Sequence, residues 1–169
     1  MNKIVKLALL GIACVGVVAC AKKQEVKPEA PVQQETTTAP IETDAGAFTP
    51  EDLETNACLR QRVVYFDFDR SEIRPEFQEA MACHAKYLRD RPGSRITLDG
   101  HADERGSREY NLGLGERRGK AVGSALEAAG GSASQISVVS HGEEQPNCRE
   151  HNESCWQQNR RVEISYTVK

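Results

Sequence analysis

The chain has few aromatic residues, no long hydrophobic span and no excess of positive charge. Of its 169 residues, 38% are hydrophobic and 5% aromatic, which is lean for one compact domain and indicates that part of the chain is not packed. The main apolar run, Leu7 to Ala19, falls short of the ~20 residues that a helix needs to span a bilayer. The net charge is −3, so bulk electrostatics favours neither nucleic acid nor an anionic membrane surface as a partner.

The sequence also lacks the common motifs of catalysis and of metal binding. No serine or cysteine stands in a nucleophile-elbow pattern, and neither His-x-x-x-His nor Cys-x-x-Cys spacing occurs. Zinc is the competing interpretation of the cysteines, because His84, His141 and His151 are available as further ligands, but the missing Cys-x-x-Cys spacing disfavours it. We therefore expect no metal, no cofactor and no enzymatic activity.

The N-terminus has the features of an export signal. Lys3 and Lys6 form a short basic head before the apolar run, which ends in the residues Val-Val-Ala-Cys at Cys20. This ending resembles a bacterial lipobox. The resemblance implies that residues 1–19 are removed as a signal peptide and that the new N-terminal residue, Cys20, carries lipid.

Two alternatives to this interpretation are weaker. One is an ordinary secretory signal that happens to end in a cysteine, and the other is lipidation at Cys14, where the apolar core would be too short. Each buried methylene adds ~0.8 kcal/mol of membrane affinity, so several acyl chains on Cys20 would make a durable anchor. By resemblance to enterobacterial sorting rules, Ala21 rather than Asp after the cysteine favours the outer membrane.

Residues 20–50 are expected to be a flexible tether that starts at the lipidated cysteine. Four prolines fall at irregular spacing among Gln, Glu and Thr residues, without apolar periodicity. Such a segment buries too little surface to offset the entropy of ordering it. Its reach would be roughly 100 Å fully extended and about 30 Å as a coil average, so the folded part would work at a distance from the membrane.

The remaining residues, 51–169, are predicted to form one domain. The predicted strands are RQRVVYFDFD, SRITLDG, SQISVVSHG and RRVEISYTV, and the predicted helices are RPEFQEAMACHAKYLRDRPG and REYNLGLGERRGKAVGSALEAAGG. A polar loop, Glu143 to Gln158, separates the last two strands. Right-handed crossovers would place both helices on one face of a mixed sheet, which gives an α/β (α+β) two-layer sandwich of order β-α-β-α-β-loop-β.

The second predicted helix contains an unusual number of glycines. Gly113, Gly115, Gly119 and Gly123 each cost ~1 kcal/mol relative to alanine in a helix interior. Close approach to another backbone explains some of them, or else the helix begins later in the chain.

Four cysteines follow Cys20, and an exported protein matures where disulfides persist. Three pairings are possible. We favour Cys148–Cys155 within the polar loop and Cys58–Cys83 between the lead-in segment and the first predicted helix. Chain entropy alone assigns ~2.5 and ~3.5 kcal/mol to these two loops.

The densest group of charges lies in the stretch GHADERGSREYNLGLGERR, residues 100–118, which links a predicted strand to a predicted helix. Loops held at this position by a rigid scaffold often bind ligands. Asp103 can accept hydrogen bonds from an ammonium group, and an arginine from the following helix can grip a carboxylate, so together they would suit a zwitterion. The residues alone leave open a second interpretation, in which Asp103 and Arg118 pair with each other or with Arg105 and Glu116 on a solvated surface.

Four segments in this order carry a resemblance to a known family. They are VVYFDFDRSEIRPE, GHADERGSREYNLGLGERRGKAV, VSHGEEQP and NRRVEI. They resemble the OmpA-like C-terminal domain family and, more narrowly, its peptidoglycan-associated lipoproteins, over about Val63 to Ile164. The resemblance implies non-covalent capture of the cell-wall stem peptide through meso-diaminopimelate, whose side chain ends in an amine and a carboxylate.

The family's binding residues carry over by motif. Its aspartate in the turn falls on Asp103, and its arginine, in the pattern Asn-x-x-Leu-x-x-x-Arg, falls on Arg118. The resemblance assigns a walling or supporting role to Phe68, Asp69, His101, Ala102, Asn111, Arg160 and Arg161. Many relatives lack the four cysteines, which raises the possibility of a redox-dependent loop.

The expected function is therefore that of an outer-membrane lipoprotein, with its domain facing the periplasm, that tethers the outer membrane to peptidoglycan. The resemblance implies a Tol–Pal envelope system, with TolB and other Tol proteins as partners. The main rival is an interaction module for a TolB-type protein in which wall binding is secondary. A wall-modifying enzyme is a more distant alternative.

Overall fold

The computed structural model describes residues 46–168. The predicted signal peptide, Cys20 and residues 20–45 of the predicted tether lie outside the described residues. The helices are α1 (Asp52–Thr55), α2 (Ala57–Arg60), α3 (Gln78–Asp90), α4 (Arg108–Ala128) and α5 (Glu153–Asn159). The strands are β1 (Val63–Tyr65), β2 (Arg95–His101), β3 (Ile136–Gly142) and β4 (Arg161–Val168), and two 3₁₀ turns cover Pro75–Phe77 and Ala133–Gln135.

The four strands form one mixed sheet in the order β1-β4-β2-β3. β2 runs parallel to β3, whereas β4 is antiparallel to both β1 and β2. Alternate residues of the central strands, such as Leu98 in β2 and Ile164 in β4, join the buried faces of α3 and α4 in a single apolar core. The predicted two-layer sandwich with a mixed sheet is confirmed.

Close packing between α4 and the sheet accounts for three glycines. A Cβ on either Gly100 in β2 or Gly115 in α4 would collide with the backbone of the other residue. A Cβ on Gly119 would lie 2.5 Å from a methyl group of Val138 in β3. The explanation by close approach to another backbone is therefore confirmed for Gly115, whereas at Gly119 the collision would be with a side chain. α4 does not begin later than predicted, because it starts at Arg108.

The segment before β1, residues 46–61, packs on α3 at a second, smaller apolar cluster. Leu53, Leu59 and Tyr87 are fully buried there, with Phe48 packed against them. The backbone N–H of Phe48 donates to the Asp90 carboxylate at 2.9 Å. The predicted disulfide Cys58–Cys83 joins α2 to α3 at this cluster and is confirmed.

One element of the prediction needs correction. The segment predicted as a polar loop, Glu143 to Gln158, contains most of α5. The Asn152 side chain caps α5 by accepting from the Cys155 N–H at 3.0 Å, and the predicted disulfide Cys148–Cys155 closes the segment. The helix has seven residues and no apolar stripe, so capping and the disulfide define it rather than hydrophobic periodicity.

No helix within residues 46–168 is long and apolar enough to cross a membrane.

Candidate functional site

A cavity of about 210 Å³ lies between the loop after β1, the turn after β2 and the start of α4. Ser107 caps α4 by accepting from the Tyr110 N–H at 3.2 Å, which fixes where the helix begins. Asn111, Leu114 and Arg118 then share one helical face at spacings of three and four residues. The lining consists of Phe68, Asp69, Asp103, Arg105, Gly106, Tyr110, Asn111, Leu114 and Arg118.

Asp103 is the buried carboxylate of this cavity, with 4% of its surface exposed. Its Oδ1 accepts from the backbone N–H and the Nε of Arg105, both at 3.1 Å. Its Oδ2 accepts from a terminal nitrogen of Arg105 at 2.7 Å and from one of Arg160 at 3.1 Å. Burial alone raises the pKa of Asp103, but the hydrogen bonds from Arg105 and Arg160 outweigh it, so the pKa lies below its usual value and the group is an anion at neutral pH.

Arg118 is the largest fully buried side chain of the described residues, and its guanidinium holds three backbone carbonyls. Its Nε donates to the carbonyl of Arg70 at 2.8 Å, and its terminal nitrogens donate to those of His101 at 2.8 Å and Asp67 at 3.1 Å. Burial lowers the pKa of Arg118 to about 10, so it stays charged at neutral pH. A guanidinium has five N–H donors, so these bonds leave two N–H groups of Arg118 for a ligand.

Phe68 and Tyr110 flank the cavity, and 55% and 46% of their surfaces are exposed. Between them lies Asp69, whose carboxylate accepts a hydrogen bond from the Tyr110 hydroxyl. Asp69 adopts φ 56°, the left-handed region that aspartate tolerates better than most residues. Arg118 donates to the carbonyls of Asp67 and Arg70, which precede and follow Phe68 and Asp69 in the chain. It therefore also fixes the conformation of the loop that carries these two side chains.

Arg105 lies between two aromatic rings. Its guanidinium carbon is 4.0 Å from the ring centroid of Phe68 and 4.2 Å from that of Trp156. Its side chain is 31% exposed and pairs with Asp103 at 2.7 Å and with Glu153 at 3.5 Å. Arg105 is therefore the more accessible of the two guanidiniums that line the cavity.

The lining charges balance, since Asp69 and Asp103 are acidic and Arg105 and Arg118 are basic. Asp103 and Arg118 form no direct ion pair among residues 46–168, although both line the cavity. A small cavity that presents both signs of charge can bind a group carrying an ammonium and a carboxylate.

The structure places the other predicted site residues at different positions. Phe68, Asp69 and Asn111 line the cavity, and Asn111 donates to the Glu143 carboxylate behind it. Arg160 is buried behind Asp103 and bonds it directly. Ala102 lines a neighbouring cavity of about 430 Å³ instead, together with Glu104, Glu143, Glu144, Pro146, Cys148, Arg149, His151 and Asn159.

The side chains of His101 and Arg161 do not line the 210 Å³ cavity. Successive residues of a strand point to opposite faces of the sheet, so Arg161 in β4 lies on the face away from the core, where it pairs with Glu163 at 2.6 Å. The His101 ring stacks on His141 with centroids 5.1 Å apart, and burial lowers its pKa to about 4. His101 serves the site through its carbonyl, which accepts from Arg118.

Sequence reasoning assigned no site role to Arg105, Tyr110 or Leu114. Helical spacing from Arg118 was a usable signal for Leu114, which lies four residues earlier on the same face. Arg105 was considered only as a surface partner of Asp103, and its stacking on Trp156 depends on a contact across 51 positions of the chain that no local pattern shows.

Comparisons with known proteins identify the family of this chain. The sequence profile of the OmpA family matches residues 65–160. The peptidoglycan-associated lipoprotein of Pseudomonas aeruginosa is 48% identical over 113 residues, which cover 66% of this chain and 67% of the relative. The peptidoglycan-associated lipoprotein of Haemophilus influenzae is 33% identical over 166 residues, covering 98% of this chain and 100% of the relative. The crystal structure of the peptidoglycan-associated lipoprotein from Burkholderia pseudomallei matches with a TM-score of 0.66 and 41% identity, over 68% of this chain and 98% of that one.

Proposed function

Because the chain belongs to the OmpA family and, within it, to the peptidoglycan-associated lipoproteins, we propose that its 210 Å³ cavity binds the diaminopimelate side chain of the wall stem peptide. The observation that carries this proposal is the pair of buried opposite charges, Asp103 and Arg118, in one cavity with balanced lining charge. The cavity is smaller than the ~300–1,000 Å³ typical of drug-sized ligands, so it suits the end of a side chain rather than a whole peptide.

Asp103 is the proposed acceptor for the ligand's ammonium group, because its carboxylate is ionised and fixed by hydrogen bonds from two arginines. Arg118 is the proposed partner for the ligand's carboxylate through its two remaining N–H groups. Arg105 provides a second cation at the same cavity. Phe68 and Tyr110 would cover the aliphatic part of the ligand side chain.

Two charge-assisted contacts at ~1.5–3 kcal/mol each support micromolar affinity at best for one stem peptide. The wall repeats this ligand many times. Many copies of the protein held on one membrane would therefore attach strongly through avidity without any tight single site.

The membrane side of the proposal comes from the sequence. A signal peptide over residues 1–19, lipid on Cys20 and a tether to residue 50 would hold the domain of residues 51–169 to the outer membrane on its periplasmic side. Palmitate labelling tests this arrangement, since a Cys20→Ser variant should lose the label.

We also propose that the protein works in a Tol–Pal envelope system, and TolB is the first partner to test. The exposed rings of Phe68 and Tyr110 offer apolar area beside the cavity that a protein could cover. Competition between TolB and isolated wall sacculi for the full chain would measure how far the two partners share this surface.

Binding to purified sacculi tests the wall proposal. We expect Asp103→Ala and Arg118→Ala to lower retention about ten- to a hundredfold, since each removes one charge-assisted contact. Asp90→Ala is the matched control, because Asp90 also pairs with a cation, Lys86, but lies on α3 outside the cavity. Retention of both site variants at the wild-type level would overturn the clamp, and release of soluble wall fragments would indicate an enzyme instead.

A further inference from the structure

We propose that α5 and the Cys148–Cys155 disulfide act as a positioning element for the wall-binding cavity, through the two arginines that hold Asp103. The inference rests on the proposed function of the cavity. None of the α5 residues lines that cavity, so the element would set affinity and selectivity without touching the ligand.

The first link runs through Arg105. Trp156 of α5 supplies one of the two rings between which the Arg105 guanidinium lies, at 4.2 Å. Glu153, in the first turn of α5, lies 3.5 Å from the terminal nitrogen of Arg105 that does not bond Asp103. Arg105 in turn donates two side-chain hydrogen bonds to Asp103. The position of α5 therefore fixes the Arg105 guanidinium, and the guanidinium fixes the orientation of the Asp103 carboxylate.

The second link runs through Arg160, which directly follows α5. One terminal nitrogen of Arg160 donates to Glu153 and to Gln157, both at 2.6 Å, while the other donates to Asp103 at 3.1 Å. Glu153 therefore contacts both arginines that bond the Asp103 carboxylate. A displacement of α5 would reach Asp103 from two sides at once.

The segment that carries α5 is held by polar side-chain contacts and by the disulfide. The Asn159 side chain accepts from the N–H groups of Asn147 and Cys148 and donates to the Cys148 carbonyl at 2.7 Å. Trp156 Nε1 donates to Glu104 at 2.7 Å, and His151 bonds the same carboxylate. The disulfide closes this segment at the start of the helix.

A helix of seven residues is too short to be stable by its own hydrogen bonds. Opening the disulfide should therefore free α5 more than it disturbs the main apolar cluster between the sheet and the helices, to which neither Cys148 nor Cys155 belongs. Arg105 would then lose one of its two stacking partners and one of its two carboxylates, and Asp103 would be presented in several orientations rather than one.

The second disulfide of the chain provides a matched control. The full chain, purified in detergent, would be titrated calorimetrically with the tripeptide L-Ala–D-Glu–meso-diaminopimelate. The comparison peptide has lysine as its third residue and therefore lacks the carboxylate at the end of that side chain. We expect Cys148→Ser/Cys155→Ser to weaken diaminopimelate binding about three- to tenfold, the range of one lost cation–π contact with its ion pair. The preference over lysine should fall as well, because Arg105, the second cation of the cavity, would no longer be fixed near the ligand's carboxylate.

Cys58→Ser/Cys83→Ser should lower the melting temperature but keep both the affinity and the preference. Wild-type affinity and preference in the folded Cys148→Ser/Cys155→Ser variant would overturn the inference, as would equal losses of affinity in the two double variants. Absence of binding by the wild-type protein would instead contradict the proposed function itself.

Trp156 gives an independent test that leaves both disulfides intact. Trp156→Phe keeps a ring against Arg105, so it should retain most of the preference for diaminopimelate, whereas Trp156→Leu should lower it, with Arg118 still available to the ligand's carboxylate. This pair decides the matter even if Cys148→Ser/Cys155→Ser fails to fold. Equal preference in the two Trp156 variants would show that stacking on Arg105 does not position the site.

Discussion

The two disulfides stabilise two regions of different chemistry. Cys58–Cys83 lies at the N-terminal cluster, where Leu53, Leu59 and Tyr87 are fully buried. Cys148–Cys155 lies beside the cavity, where the contacts are mainly hydrogen bonds and ion pairs among arginines and carboxylates. The Cys58–Cys83 disulfide holds residues 46–61 to α3 at an apolar cluster. The Cys148–Cys155 disulfide holds the segment of α5 beside the arginines and carboxylates of the cavity.

We expect the N-terminal cluster to contribute to stability and the charged residues of the cavity to contribute to binding. Apolar burial is non-directional, so the N-terminal cluster is stable as long as its side chains stay packed together and out of water. Charge-assisted hydrogen bonds depend on distance and angle, so the cavity needs each of its arginines at a defined place. Substitutions in each region test whether stability and binding can be changed independently.

Arg118→Ala should have the largest effect and should be the one change that lowers stability and binding together. It leaves the carbonyls of Asp67, Arg70 and His101 without their donor and removes the proposed carboxylate partner. At ~1–3 kcal/mol for each unsatisfied buried group, we expect a loss of at least about 3 kcal/mol of unfolding free energy by urea denaturation. A fully stable Arg118→Ala variant would show that the loop after β1 does not depend on this residue.

Cys58→Ser/Cys83→Ser should cost stability alone. The closed loop spans 25 residues, for which chain entropy gives ~3.5 kcal/mol. Thermal melting measures the loss, and sacculus binding below the new melting temperature should equal that of the wild type. Weaker binding by the folded variant would mean that the two regions are coupled.

Acid should weaken the N-terminal region through His84. The Tyr166 hydroxyl lies 2.7 Å from its Nδ1 and the Gln61 carbonyl 3.2 Å from its Nε2, and burial lowers its pKa from 6.5 to about 4. A lowered histidine pKa means that the unfolded chain takes up the proton first, so stability is full above pH 6.5 and falls as the pH drops towards 4. The shift corresponds to about 3 kcal/mol.

Urea denaturation at pH 7 and pH 5 would measure this effect. His84→Gln should have a flatter pH dependence, with part of the slope remaining because burial also lowers the pKa of His101 to about 4. An unchanged slope in His84→Gln would contradict the assignment.

Tyr110→Phe should have the smallest effect. It removes the hydrogen bond to Asp69 but keeps the ring beside the cavity, so we expect ~0.5–1.5 kcal/mol in binding and little change in melting temperature. Tripeptide titration measures the former. A large drop in melting temperature would show that Tyr110 stabilises the domain rather than the loop that carries Asp69.

The sequence predicted the parts of the fold that repeat a local pattern. Alternation identified β2 and β4, helical spacing identified α3 and α4, and the cysteine spacing favoured the pairing that the structure contains. The two short helices before β1 and α5 were not predicted, because with four, four and seven residues they are too short to show a helical periodicity.

The candidate site followed the same division. Asp103 and Arg118 came from a motif, and both line the cavity. The role of Arg105 was missed because it depends on Trp156, far away in the chain. Arg161 was grouped with Arg160, although the alternation of β4 was enough to separate them.

Titration of the unaltered full chain with two stem tripeptides that differ only in the third residue tests whether the cavity binds a zwitterion. A cavity that binds an ammonium and a carboxylate together should prefer the meso-diaminopimelate tripeptide to the lysine tripeptide by about tenfold or more, the value of one lost charge-assisted contact. Equal affinity for the two peptides, or no binding of either, would contradict the account.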